Sequence, residues 1–66
     1  DSVLMAYEVK YHDAKKAVCT DTVDADSNHR SGVLIKFYQH LGMSNYRLVD
    51  VYHVDDVIDI TKAGSG

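Results

Sequence analysis

The histidines, the acids and the single cysteine are the side chains to weigh first for chemistry in this chain of 66 residues. Asp24-x-Asp26-x-Asn28 has the alternate-residue spacing at which oxygens converge on one hard cation in a calcium loop. Counting on from Asp24, His29 stands where glycine makes the sharp turn and Ile35 stands where a bidentate glutamate closes the shell. The stretch therefore reads as a solvated acidic turn. His12, His29, His40 and His53, with Asp55 and Asp56, form a potential transition-metal set. No H-x-H or H-x₃-H pair occurs among them. In a hairpin that sets His40 opposite Tyr46 and Val33 opposite His53, His40 and His53 stand about 23 Å apart at roughly 3.3 Å per residue. Cys19 could act in a Cys-His nucleophilic pair, but a lone cysteine in an alternating strand is usually a small core residue. There is no glycine-rich phosphate loop and no G-x-S-x-G elbow. No catalytic residue, metal or cofactor is expected.

The aromatic residues are more suggestive. Tyr7, Tyr11, Phe37, Tyr38, Tyr46 and Tyr52 all fall in stretches that alternate like strands. Facing outward they would make a platform for stacking bases or packing a peptide. Facing inward, four of the tyrosines would cover a small core and keep their hydroxyls at its edge. One face of a predicted strand reads Leu34, Lys36, Tyr38, His40, and Tyr46 and Arg47 open the strand after it. Lys36, Tyr38, His40, Tyr46 and Arg47 are therefore the expected binding residues.

These residues need a sheet to hold them. Val3 to Tyr11 alternates with a period of 2. A turn over His12-Asp13-Ala14-Lys15 leads to a second predicted strand, Lys16 to Ala25, in which Asp21 interrupts the apolar face and suggests a bulge or an edge. Residues 26–32 read as a polar connector rich in turn formers. Strands follow over Val33 to His40 and Tyr46 to His53, joined by a hairpin turn over residues 41–45. The second of these carries apolar groups on both faces and is expected to be central. Val54, Val57 and Ile58 lie at i, i+3 and i+4, which predicts a short 3₁₀ turn before a last short strand. The expectation is a mainly β, small five-stranded SH3-like barrel over residues 1–62, with one short 3₁₀ turn between strands four and five. Residues 63–66 are expected to be a flexible tail or linker remnant.

Composition sets outer limits. The chain is 45% hydrophobic and 26% charged, as folded domains are. Its acids are nine aspartates and one glutamate, Glu8, and aspartate favours turns over helix interiors. With one cysteine no internal disulfide can form, which points to a reducing cytoplasm. No apolar run approaches the roughly 20 residues of a membrane span. The net charge of −3 weighs against nucleic acid. The start at Asp1 is expected to mark a fragment or processed product.

Gly32-Val33-Leu34-Ile35-Lys36-Phe37 resembles the Gly-x-Leu-x-x-Phe opening of the first Sm motif, and Val51-Tyr52-His53 with Val57-Ile58 is loosely similar to the end of bacterial Sm-like proteins. The likeness covers about 25 residues and departs at Tyr38, where aspartate is usual, and at the extra Leu41-Gly42. It implies shared barrel geometry rather than membership. The Ala-Leu-Tyr-Asp-Tyr run and groove tryptophans of SH3 signaling domains are absent. The expected function is that of a small non-enzymatic module for protein–protein interaction or self-association, through strand edges and an aromatic patch. The alternative is a small barrel, Sm-like or OB-like, that binds single-stranded nucleic acid through the tyrosines, lysine and arginine of the hairpin. No small-molecule substrate is implied.

Overall fold

The computed structural model describes residues 6–62. The expected start of the first strand at Val3 and the expected tail at 63–66 lie outside the described residues. Six strands follow in chain order: β1 (Ala6–His12), β2 (Val18–Asp24), β3 (Ser27–Ser31), β4 (Leu34–Gly42), β5 (Asn45–His53) and β6 (Val57–Lys62). They form two antiparallel sheets, ordered β2-β1-β6 and β3-β4-β5. The mainly β expectation holds. The five-strand count does not, and neither does the closed barrel, because no strand ladder joins the two sheets.

The additional strand is β3, which lies within the expected connector. Ser27-Asn28-His29-Arg30-Ser31 has no apolar face, so periodicity is blind to it. It is an edge strand held by backbone pairing to β4, from Ser27 opposite Tyr38 to Ser31 opposite Leu34. A polar edge is one way a sheet avoids pairing with another chain.

The core is small. Tyr7, Val9 and Val23 from one sheet meet Ile35 and Phe37 from the other, with Ala25 at the corner between β2 and β3. Val9 and Phe37 are wholly buried. The Phe37 ring packs 5.4 Å from Tyr7 and edge-on to Tyr52 at 5.7 Å. Tyr11, Tyr52, Val54, Val57 and Ile60 close over this cluster.

Two bulges explain where alternation misleads. Phe37 pairs with Asp50 while Tyr38 pairs with Leu48, so Val49 is extra. The β5 faces therefore exchange at Val49: Tyr46 and Leu48 share the outer face with Tyr38, whereas Asp50 and Tyr52 share the inner face with Phe37 and Ile35. This is why β5 shows apolar groups on both faces although it is an edge strand and not a central one. In β6, Lys10 pairs with Asp59 and Tyr11 with Val57, which makes Ile58 extra. Val57 and Ile60 then both face inward, three residues apart, while Val54 and Val57, the i, i+3 pair behind the expected 3₁₀ turn, span the link before β6. No 3₁₀ helix forms there among the described residues. The link is a pair of tight turns, with Asp56 N donating to His53 O and Val57 N to Val54 O.

Beyond its pairing with β3, the β4–β5 hairpin runs on as two strands alone. It turns at Met43 and Ser44, both in the left-handed region at φ 51° and 68°. The described chain measures 39 × 26 × 13 Å with a radius of gyration of 12.5 Å, above the roughly 10–11 Å of a compact domain this size. No described helix is long and apolar enough to cross a membrane.

Candidate functional site

The outer face of β3–β4–β5 brings together most of the expected binding residues. Tyr38 and His40 alternate outward on β4, and Tyr46 lies opposite His40 on β5, as the expected hairpin register has it. The His40 and Tyr46 rings meet edge to face at 4.7 Å, and Tyr38 stands 6.5 Å from Tyr46 at 75°. Lys36 sits two residues from Tyr38 on the same face, opposite His29 on β3 and Val51 on β5. Arg47 is not part of this face. It follows Tyr46 on the strand and so points the other way, with Nη2 donating to Gln39 Oε1 at 2.8 Å.

These rings wall a shallow depression of about 410 Å³, completed by Ser27, Asn28 and His29 of β3. Ser27 Oγ and His40 Nε2 are 3.3 Å apart. Ser27 and His29 escape sequence reasoning because β3 has no apolar face to mark it as a strand. One clue was available: residues 27–49 contain no acid, in a chain that has ten. Beside the depression, Leu48 and Val51 are exposed on the same face. Two acids border the face: Asp26 turns its carboxylate to the His40 backbone N–H at 2.7 Å, and Asp55 stands 3.8 Å from His53 Nδ1 at the far end.

The remaining tyrosines serve the core. Tyr7 is buried, and Tyr11 and Tyr52 half-cover the inner cluster with rings 5.4 Å apart. Burial, followed by the hydrogen bond to Asp21, pushes the Tyr52 hydroxyl well above the usual phenol range. For Tyr11 the hydrogen bond to Asp21 is the leading cause of a rise.

The other chemical candidates do not assemble. Asp24 ends β2 and Asn28 lies in β3, on opposite sides of the corner that Asp26 braces. The register places Leu34, not Val33, opposite His53, so His40 and His53 remain at opposite ends of the hairpin. His53 accepts the Asp55 N–H at Nδ1. Among the described residues no three of His, Cys, Asp or Glu converge on a metal position. Cys19 is half-buried with Sγ 3.6 Å from Asp13 Oδ2. Desolvation and the nearby Asp13 carboxylate push its thiol up, which disfavours the thiolate a nucleophile needs.

No known protein family matches the chain, and no curated protein or solved structure is significantly similar to it. The Sm-like stretch forms the β3–β4 turn, where Gly32 takes φ 62°, and the start of β4. The class defined by the fold and face is a small two-sheet β protein with one open, aromatic sheet face.

Proposed function

We propose that this is a non-catalytic protein-interaction module whose recognition surface is the outer face of β3–β4–β5. One observation carries this reading: an exposed cluster of Tyr46, Leu48 and Val51 adjoins the Tyr38–His40 depression on one sheet face. Apolar and aromatic groups contiguous on a surface are the usual substance of protein-binding sites. We also read the architecture as a variant of the SH3-like order, with β2 and β3 as two arms of one strand bent at Ala25–Asp26.

The face supports docking better than the β5 edge does. Val49 bulges the edge, and Asp50 Oδ1 accepts the Val51 N–H at 2.8 Å, occupying a donor that strand addition would need. A second reading, stacking of single-stranded nucleic acid, is favoured by the Tyr38–His40–Tyr46 cluster. Against it, Lys36 is the face's one permanent cation, since Arg30 and Arg47 are drawn to Gly32 O and Gln39.

Selection from a displayed peptide library tests the proposal. Peptides enriched on the native chain should lose about tenfold or more in affinity for a Tyr38→Ser/Tyr46→Ser variant that still melts cooperatively. A library yielding no binder, or binders indifferent to both substitutions, sinks the reading.

A further inference from the structure

The two sheets present four strand edges, and three of them are guarded. On β5 the Val49 bulge is followed by Asp50, whose Oδ1 accepts the Val51 N–H at 2.8 Å. On β6 the Ile58 bulge is followed by Asp59, whose Oδ1 accepts the Ile60 N–H at 3.0 Å. The sequence repeats with the device, as Leu48-Val49-Asp50-Val51 and Val57-Ile58-Asp59-Ile60. Strand β3 is only five residues long, and its Arg30 lies opposite Ile35 on the inner side. Bulges, short edges and inward charges all discourage another chain from adding a strand. The fourth edge, β2, has neither bulge nor plug. Its seven residues pair with β1 without a register shift, and among the described residues no side chain takes one of its N–H groups. Its one inward acid, Asp21, is engaged by the Tyr52 hydroxyl. Val18, Thr20, Thr22 and Val23 give it the β-branched character that suits pairing.

The phase of the β1–β2 ladder decides which backbone groups face outward. Asp13 N donates to Ala17 O, so Tyr11–Cys19, Val9–Asp21 and Tyr7–Val23 are the pairs that exchange backbone bonds. The N–H and C=O groups of Val18, Thr20, Thr22 and Asp24 therefore point to the open edge. We propose that this edge pairs with the same edge of a second copy of the chain, antiparallel across a two-fold axis at Thr20, joining two three-stranded sheets into one. Such a contact is isologous, as two-fold symmetry requires. Charge selects the register. Centred on Asp21, the ladder would set two aspartates directly opposite each other, which is destabilising. Centred on Thr20, it sets Thr20 against Thr20 and Val18 against Thr22, and it brings Asp24 to Lys16, just ahead of β2, at both ends. Threonine pairs and opposite charges are favourable cross-strand neighbours. Lys16 and Asp24 are both exposed, and neither makes an ion pair among the described residues. The contact is one strand wide, smaller than a standard interface, so the dimer is weak and governed by concentration. It does not use the outer face of β3–β4–β5 and stands apart from the reading of that face.

Sedimentation velocity of the full chain over a range of concentrations should show a monomer–dimer equilibrium. Thr20→Pro removes an outward N–H and spares the β1 ladder, so that variant should fold and stay monomeric. Lys16→Glu or Asp24→Lys alone should weaken the dimer about fivefold or more. The two together should restore it, because the exchanged charges again oppose each other. Thr20→Cys in a Cys19→Ser background should cross-link on oxidation, since bonded cross-strand partners stand about 5.5 Å apart between Cα atoms, within disulfide reach. Thr22→Cys in the same background should cross-link far more slowly. The charge and cysteine variants decide the matter even if Thr20→Pro fails to fold. A native chain that stays monomeric to about 1 mM overturns the inference. So does a dimer that persists in folded Thr20→Pro, that Tyr38→Ser/Tyr46→Ser abolishes, or that the double charge exchange fails to restore. Cross-linking through Thr22→Cys as fast as through Thr20→Cys overturns it too.

Discussion

The hydroxyl of Tyr52 donates to the Asp21 carboxylate, 3.0 Å away, and so ties β5 of one sheet to β2 of the other. The same hydroxyl lies 3.2 Å from Asp50 on its own strand. It has one proton for two carboxylates, so it serves one fully at a time. No strand ladder joins the sheets, and this polar contact stands beside the Phe37 cluster in holding them together.

Tyr52→Phe should therefore destabilise the fold by about 1 kcal/mol in urea, because two half-buried acids lose a donor. Adding Asp21→Asn should recover part of the loss, giving a measurable coupling in a double-mutant cycle. The pH dependence has a definite sign. Folding raises the Tyr52 pKa above its unfolded value of about 10, first through burial and then through Asp21. Its contribution is full below about pH 10 and is lost as pH rises beyond that, since the unfolded chain then ionises first. Tyr52→Phe should show a shallower alkaline loss of stability. Identical alkaline limbs for the two proteins would contradict this.

Asp13 governs the other limb. Its Oδ1 accepts the backbone N–H groups of Ala17 at 3.0 Å and Lys15 at 2.8 Å, closing the β1–β2 turn in which Lys16 takes φ 66°. These bonds, led by Ala17, hold the carboxyl below its usual range. A depressed folded pKa gives stability that is present above the unfolded value and is lost as pH falls through the folded one. Asp13→Ala should lower the urea midpoint at neutral pH and lose less stability than the native chain on acidification. Asp13→Asn, which keeps an acceptor oxygen, should hold the midpoint nearer to native. A midpoint unmoved by Asp13→Ala would show that the turn forms without its brace.

Much of this architecture was legible in the sequence, and the strand misses have two causes. Alternation placed Tyr7, Val9 and Tyr11 inward on β1, and Cys19, Val23 and Ala25 inward on β2 and at the corner that follows it. The hairpin register that sets His40 opposite Tyr46 holds near the tip and is out by one residue at His53. Alternation assumes an uninterrupted pleat, and Val49 and Ile58 each interrupt it by one residue. The first interruption makes an edge strand look central, and the second adds Ile58 to the Val54–Val57 pair that spans the tight link before β6, which together read as a helical turn. The polar strand β3 has no core face and so no period to detect. At the site, four of the five expected residues share a face, whereas strand parity sends Arg47 to the opposite one. His29 was recoverable from the acid-free run over residues 27–49, which the overall charge concealed.

The hairpin tip offers a stabilising change. Gly42 pairs with Asn45 across a two-residue turn whose central residues, Met43 and Ser44, both have positive φ. That geometry is best met by Asn-Gly, and ordinary side chains pay for it in backbone strain. Met43 is also 96% exposed. Met43→Asn/Ser44→Gly should raise stability by about 1 kcal/mol, read as a higher urea midpoint with unchanged slope. An unchanged or lower midpoint would mean that the native pair relieves its strain through contacts elsewhere.

The Val49 bulge makes the sharpest prediction, because it separates two uses of the same apolar hairpin. Leu48 and Val51 are exposed beside an unpaired strand edge, a combination that invites another chain to add a strand. The extra residue breaks the regular spacing of donors and acceptors along that edge, and Asp50 occupies the Val51 N–H. Deleting Val49 leaves Leu48 facing Tyr38 and Asp50 facing Phe37, now in unbroken alternation, so the core and the outer face keep their residues. The edge alone becomes straight. The deletion variant should fold with a similar β spectrum yet self-associate with rising concentration in sedimentation velocity, where the native chain does so less. Adding Leu48→Pro should suppress that association: Leu48 lies opposite Tyr38, whose carbonyl turns to Asp26 N on the β3 side, so the Leu48 N–H faces the open edge and its loss spares the β4 ladder. If the deletion variant sediments as the native chain does at every concentration, the bulge is not what guards this edge, and the preference for docking on the face loses its structural reason.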